Sequence, residues 1–125
     1  MKKDFRETSK TGAVAWLLQR VSAVILFVIL IYHFAVYHIL ARGNPPAWNE
    51  VVAKMQSPWF ALLQFVFLTT ALYHGLNGAW MVVEDYIHSR YLRLFIFSLI
   101  VLAAVALLFI GTLTIFKMAS LKPGV

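Results

Sequence analysis

The chain has 125 residues, of which 62% are hydrophobic and only 13% are charged. A soluble domain is about 45–50% apolar and about 25% charged, so this composition belongs in a membrane, with room for three spans and none for a separate soluble domain. The absence of cysteine excludes disulfides, thiolate iron–sulfur ligation and cysteine nucleophiles. The net charge of +6 sits on residues that flank apolar runs, which reads as membrane topology and not as nucleic-acid binding.

Residues 1–13 are polar and read as a short extramembrane arm, with Lys2, Lys3, Asp4, Arg6, Glu7 and Lys10 before Thr11-Gly12. The first apolar run spans about Val14 to Ala41, enough to cross the hydrocarbon core. It is too long for the apolar region of a signal peptide and has no convincing small-residue cleavage site, so it is expected to stay in the protein. Gln19 and Arg20 lie about two turns inside it. Gly43-Asn44-Pro45-Pro46 and Ser57-Pro58 then break helices, and Trp48 to Met55 between them is expected to form a short interfacial helix. The second span is expected from about Trp59 to Val83, followed by a polar connection over residues 84–93. The third runs from about Tyr91 to Phe116, before a tail ending Lys122-Pro123-Gly124-Val125. The expected fold is an all-α membrane protein of three transmembrane helices.

Lys and Arg set the orientation. Lys2, Lys3, Arg6, Lys10 and Arg20, with Arg90 and Arg93 of the second connection, outnumber Arg42, Lys54, Lys117 and Lys122 on the other side. The positive-inside rule therefore expects a cytoplasmic N-terminus and an outside C-terminus. Arg20 and the Glu84-Asp85-Tyr86 group are then expected at the same cytoplasmic interface.

His74 lies in the middle of the second span. An ionisable side chain at that depth needs a partner and usually faces a bundle interior. Gly75 is adjacent, and Gly78, four residues on, shares its helix face. Missing side chains beside an imidazole open room for a flat macrocycle, and histidine commonly holds haem iron in bundle cores. The alternative is a histidine that bonds a neighbouring helix beside glycines used for close packing. His33 lies deep in the first span, at a different depth from His74. It is a second candidate ligand, or a hydrogen-bonded packing residue. His38 reads as an interfacial histidine, and His88, in the polar connection, carries no role.

Asp85 and Tyr86 follow the second span. A carboxylate and a phenol at a membrane edge can hydrogen-bond a quinone carbonyl and pass protons to it. Arg20 can stabilise an anionic reduced ring or pair with a haem propionate. The plainer reading is that aromatics and charges at this depth anchor the helix ends. Ser22, two residues past Arg20, is a packing hydroxyl or a further quinone contact.

Three stretches together resemble a known family over almost the whole chain. Trp16-Leu17-Leu18-Gln19-Arg20-Val21-Ser22-Ala23-Val24 opens the first span. His74-Gly75-Leu76-Asn77-Gly78 leads to Val82-Val83-Glu84-Asp85-Tyr86-Ile87-His88, and this His-to-Asp-Tyr spacing is the most specific piece. Leu92-Arg93-Leu94 opens the third span. They resemble the hydrophobic membrane-anchor subunits, of cytochrome b type, of succinate dehydrogenase (complex II) and its fumarate reductase relatives. The resemblance implies a three-helix anchor joined to a sister cytochrome b subunit in one bundle, docked to an iron–sulfur subunit and a flavoprotein in a bacterial-type inner membrane. It implies His74 as an axial ligand of haem b, and Tyr86 with Asp85, Arg20 and Ser22 at a quinone site near the iron–sulfur subunit. Ile31-Tyr32-His33-Phe34 looks like the first-span histidine of two-haem members, which implies His33 on a second, distal haem. Such a chain is a subunit of an enzyme with no activity alone. A haem-free structural anchor, or a small proton-coupled transporter using His33, His74 and Asp85, stay open as alternatives.

Overall fold

The computed structural model describes residues 5–39, 44 and 46–121, with side chains described from Gly12 onward. Four α-helices follow in order: α1 (Phe5–Phe34), which ends in a π turn (Ala35–Ile39), α2 (Trp48–Met55), α3 (Pro58–Tyr86) and α4 (Arg90–Ser120). Among the described residues there is no strand. Among the described residues three stretches are long and apolar enough to cross a membrane: Gly12–Ile39, Pro58–Tyr86 and Arg90–Ser120, of 28, 29 and 31 residues. At about 1.5 Å per residue each exceeds the roughly 30 Å hydrocarbon core.

The three expected spans are present; both ends of the second and third and the start of the first lie outside the expected bounds, while the described part of the first ends at Ile39. α1 starts at Phe5, so the part of the polar arm that the structure describes is helix. Lys, Arg, Glu and Thr continue a helix at little cost, and Gly12 alone costs only about 1 kcal/mol. α3 continues through Glu84, Asp85 and Tyr86, because no breaker follows Val83. The expected ten-residue connection shrinks to Ile87–Ser89, where extended backbone at Ile87 and Ser89 turns the chain. Helix breakers act where expected at Ser57-Pro58: Ser57 is extended and Pro58 starts α3, where its missing N–H costs nothing. The interfacial helix runs from Trp48 to Met55 as expected. Ala41, Arg42, Gly43, Pro45 and the tail from Lys122 lie outside the described residues.

α3 is the middle helix. It packs against α1 on one side and α4 on the other, and α1 and α4 make no contact with each other among the described residues. The spans therefore form an open layer, not a closed three-helix bundle. On the α4 side Trp80 meets Phe97 edge-to-face at 4.6 Å. Gly111 lets Leu68 approach so closely that a Cβ there would stand 2.7 Å from its Cδ2. α2 closes the far end of the layer. It buries Val52 and Met55, and just past it Gln56 Nε2 donates to the Leu121 carbonyl at 2.6 Å.

An open layer leaves apolar surface on both sides. Ile29, Val83 and Ala104 are the apolar residues of the three spans that are buried, while Phe27, Leu102 and Phe109 are each more than 60% exposed. In water such a surface would be untenable. Lipid tails and a second helical subunit cover it equally well, because neither demands polar partners.

Candidate functional site

Several polar side chains inside the apolar layer come together. They pair between α1 and α3 at three points along one antiparallel register. Nearest the N-terminus of α1, Asn77 Nδ2 donates to Gln19 Oε1 at 2.9 Å. One turn deeper, Ser22 Oγ lies 3.0 Å from His74 Nδ1. Eleven residues further along α1, Gln64 Nε2 donates to His33 Nε2 at 2.9 Å. In a medium without water each of these groups needs a partner from the protein.

His74 sits at the centre of this network. Its two ring nitrogens have unlike neighbours. Nδ1 is held by the Ser22 hydroxyl, which also bonds the Gln19 carbonyl at 3.0 Å. Nε2 faces the Gln19 amide nitrogen at 3.5 Å, the outer limit of a hydrogen bond. The same amide reaches the His74 backbone carbonyl at 3.4 Å. Ser22 is 5% exposed and is the buried polar residue among those described.

The glycines beside His74 divide their work. A Cβ on Gly75 would meet nothing within 4 Å, so this face of α3 is open. A Cβ on Gly78 would stand 3.5 Å from Gln19 Nε2. That is an ordinary van der Waals distance, so Gly78 lies against the Gln19 amide. Two shallow cavities flank the same stretch. One of about 250 Å³ lies between α1 and α3 beside Ser22 and Tyr73. The other, about 350 Å³, lies between α3 and α4 beside Tyr73, Asn77 and Trp80.

His33 has different surroundings. Phe67 stacks on its ring at 5.9 Å between centroids, and Tyr37 and Phe60 pack around it. Its Nε2 is taken by Gln64, and its Nδ1 is buried without a partner. His33 lies eleven residues beyond Ser22 on α1, so the two histidines are separated by about 16 Å along the layer. His38 is exposed in the π turn against Phe34, and His88 is exposed in the connection after α3.

Arg20 is exposed on α1, with its guanidinium 5.3 Å from the Trp16 ring. Because Gln19 bonds Asn77, Arg20 stands level with the His74–Asn77 turn. Asp85 is eight residues past Asn77, about 12 Å further along α3. Arg20 and the Asp85-Tyr86 pair therefore share an end of the layer, at levels about 12 Å apart. Ser22 likewise lies with His74 and not with Tyr86. Asp85 is exposed, and Tyr86, the last residue of α3, is 80% exposed. Beneath them Val83 is buried.

Gln19, Asn77 and Gln64 had no role from sequence reasoning, and all three are partners of the histidine network. Among the described residues no three of His, Cys, Asp and Glu converge.

Residues 3–112 match the family model described as succinate dehydrogenase/fumarate reductase transmembrane subunit. The chain belongs to this family. Among its curated relatives, the succinate dehydrogenase hydrophobic membrane anchor subunit of Rickettsia typhi is 32% identical over 74% of this chain and 72% of its own length. The anchor subunit of Thermoplasma acidophilum is 31% identical over 63% of this chain and 64% of the relative. The chain is also similar to the succinate dehydrogenase 2 membrane subunit SdhC of Mycobacterium tuberculosis, at 29% identity over 66% of this chain and 62% of the relative. The matched segment holds all of α1, α2 and α3, and so the whole polar network. Within a membrane-anchor family, the open layer has a plain meaning: it is one part of a larger membrane assembly.

Proposed function

We propose that this chain anchors a succinate:quinone oxidoreductase in a bacterial-type inner membrane, ligates haem b through His74 and forms part of the quinone site. The observation that carries the reading is a mid-span imidazole held at Nδ1, beside an open glycine face at Gly75. That donor set would let His74 hold a haem iron through Nε2. The haem, when bound, supplies a one-electron carrier between the iron–sulfur subunit and quinone. A sister membrane subunit would complete the haem site and cover the apolar face.

The chain's own residues then have separate tasks. His74 offers Nε2, and the Gln19 amide beside it gives way. Arg20, level with His74, suits a haem propionate better than a quinone twelve ångströms further on. Tyr86 hydrogen-bonds the quinone carbonyl with its phenol, and Asp85 passes protons to it from the aqueous edge. Ser22 serves the histidine and not the quinone. The N-terminus faces the cytoplasm, where the iron–sulfur and flavoprotein subunits dock.

We assign His33 a packing role and not a second haem, although its Nδ1 is buried without a partner. Its ring is enclosed by aromatic side chains of its own chain, and Gln64 occupies Nε2. No step is assigned to it. A haem-free anchor has one observation in its favour: both His74 nitrogens already have neighbours on α1. A transporter reading requires a proton path from His33 to His74, and about 16 Å of apolar helix separates them. Purification of the assembly through this chain decides among the three. The proposal expects a flavoprotein, an iron–sulfur protein, a sister membrane subunit and one haem b per complex.

A further inference from the structure

We infer that Ser22 is the positioning residue of the haem ligand: it holds the proton of His74 on Nδ1 and leaves the Nε2 lone pair for iron. The inference rests on the haem reading above, and its argument is a count of donors and acceptors.

Ser22 Oγ has one proton and two lone pairs. It has two partners at 3.0 Å, the Gln19 carbonyl and His74 Nδ1. The carbonyl only accepts, so the hydroxyl proton goes to it, and Oγ accepts N–H from Nδ1. The other assignment turns the hydroxyl toward Nδ1 and puts the imidazole proton on Nε2. That proton would then face Gln19 Nε2, 3.5 Å away, which is itself a donor. Two N–H groups would oppose each other in an apolar medium. Turning the Gln19 amide over does not relieve this. Its oxygen would then face the His74 backbone carbonyl, where the nitrogen now sits at 3.4 Å. Its nitrogen would meet the Asn77 amide nitrogen, which now donates to Gln19 Oε1 at 2.9 Å. One tautomer satisfies every group.

A hydrogen-bond acceptor on the distal nitrogen of a ligating histidine fixes the ring and raises its basicity, and loss of such a partner typically weakens metal binding by about 10–100-fold. A more basic ligand favours ferric over ferrous iron. Ser22 therefore lowers the midpoint potential of the haem and strengthens its retention. Near-complete burial of the hydroxyl keeps water from replacing it.

The experiment uses the assembled complex in detergent or nanodiscs, with Ser22→Ala, Ser22→Cys and Ser22→Thr. The readouts are haem per complex and the midpoint of the b-type band in a potentiometric titration. Threonine keeps the oxygen and should titrate like wild type. Alanine should shift the midpoint upward and lower haem affinity by about tenfold or more. Cysteine, a weaker acceptor of similar size, should fall between. Should the alanine variant not accumulate, the order of threonine and cysteine decides the matter. A residue that only packs would lower the yield of complex without moving the midpoint. Unchanged midpoints in the alanine and cysteine variants, with a normal wild-type band, overturn the inference alone. A wild-type complex without a b-type band overturns the haem reading first, and this inference with it.

Discussion

Asn77 donates to Gln19 at 2.9 Å, and this bond sets the depth at which α1 and α3 are locked together. A slip of one turn would carry Ser22 away from His74 and His33 away from Gln64. All three pairs depend on the same register, so each supports the others. Polar pairs serve this purpose well in a membrane, where apolar side chains are as content with lipid as with protein.

Replacing Gln19 by alanine tests whether the lock and the haem site are separable. The variant loses the bond to Asn77 and the contact with the His74 carbonyl. Hydrogen bonds between membrane helices average about 0.6 kcal/mol, so a loss on the order of 1 kcal/mol is expected. It should appear as a lower Tm of the solubilised complex. Haem content should stay at the wild-type level, because in the proposed site the amide would move aside for iron. A parallel loss of haem and stability would make Gln19 part of the ligand site.

His33→Leu tests the packing role of the other histidine. The substitution leaves Gln64 without its partner, at a cost of about 1–3 kcal/mol if the amide stays buried. The double change His33→Leu with Gln64→Leu removes both groups and should recover most of that loss. Haem per complex should be the same in wild type and in both variants. A drop from two haems to one in His33→Leu would restore the distal-haem role implied by resemblance.

Tyr86→Phe removes one hydroxyl from a residue that is 80% exposed at the end of α3. Burial gives it no structural duty, so stability should not change. Succinate–quinone turnover should fall by about tenfold or more, the worth of a hydrogen bond to a group gaining charge. Reduction of a soluble dye by succinate should continue, because it bypasses the quinone. Equal loss of both activities would remove Tyr86 from the quinone site.

Much of the fold was legible in the sequence. Apolar length gave the three spans, and the breakers at Pro46 and Ser57-Pro58 bracketed the interfacial helix from Trp48 to Met55. The ends of the spans were less legible. Glu84, Asp85 and Tyr86 look like loop residues by polarity, yet nothing in their chemistry stops a helix that arrives already formed. The site was legible in its centre and not in its supports. His74 stood out by cost alone. Gln19, Asn77 and Gln64 did not, because a neutral amide near other polar residues raises no alarm. A signal was nevertheless present. Ser22 to His33 on one span and Gln64 to His74 on the other are nearly equal intervals, eleven residues and ten. Equal intervals between polar residues on antiparallel helices are what paired partners require. What no spacing could reveal is the open layer, since the choice between an open layer and a closed bundle lies in long-range helix contacts.

The most direct measurement is the reduced-minus-oxidised spectrum of the assembled complex, wild type against His74→Ala. The account predicts a b-type α-band in wild type and its loss in the variant, with all subunits still present. A band of undiminished height in the His74→Ala complex would contradict it.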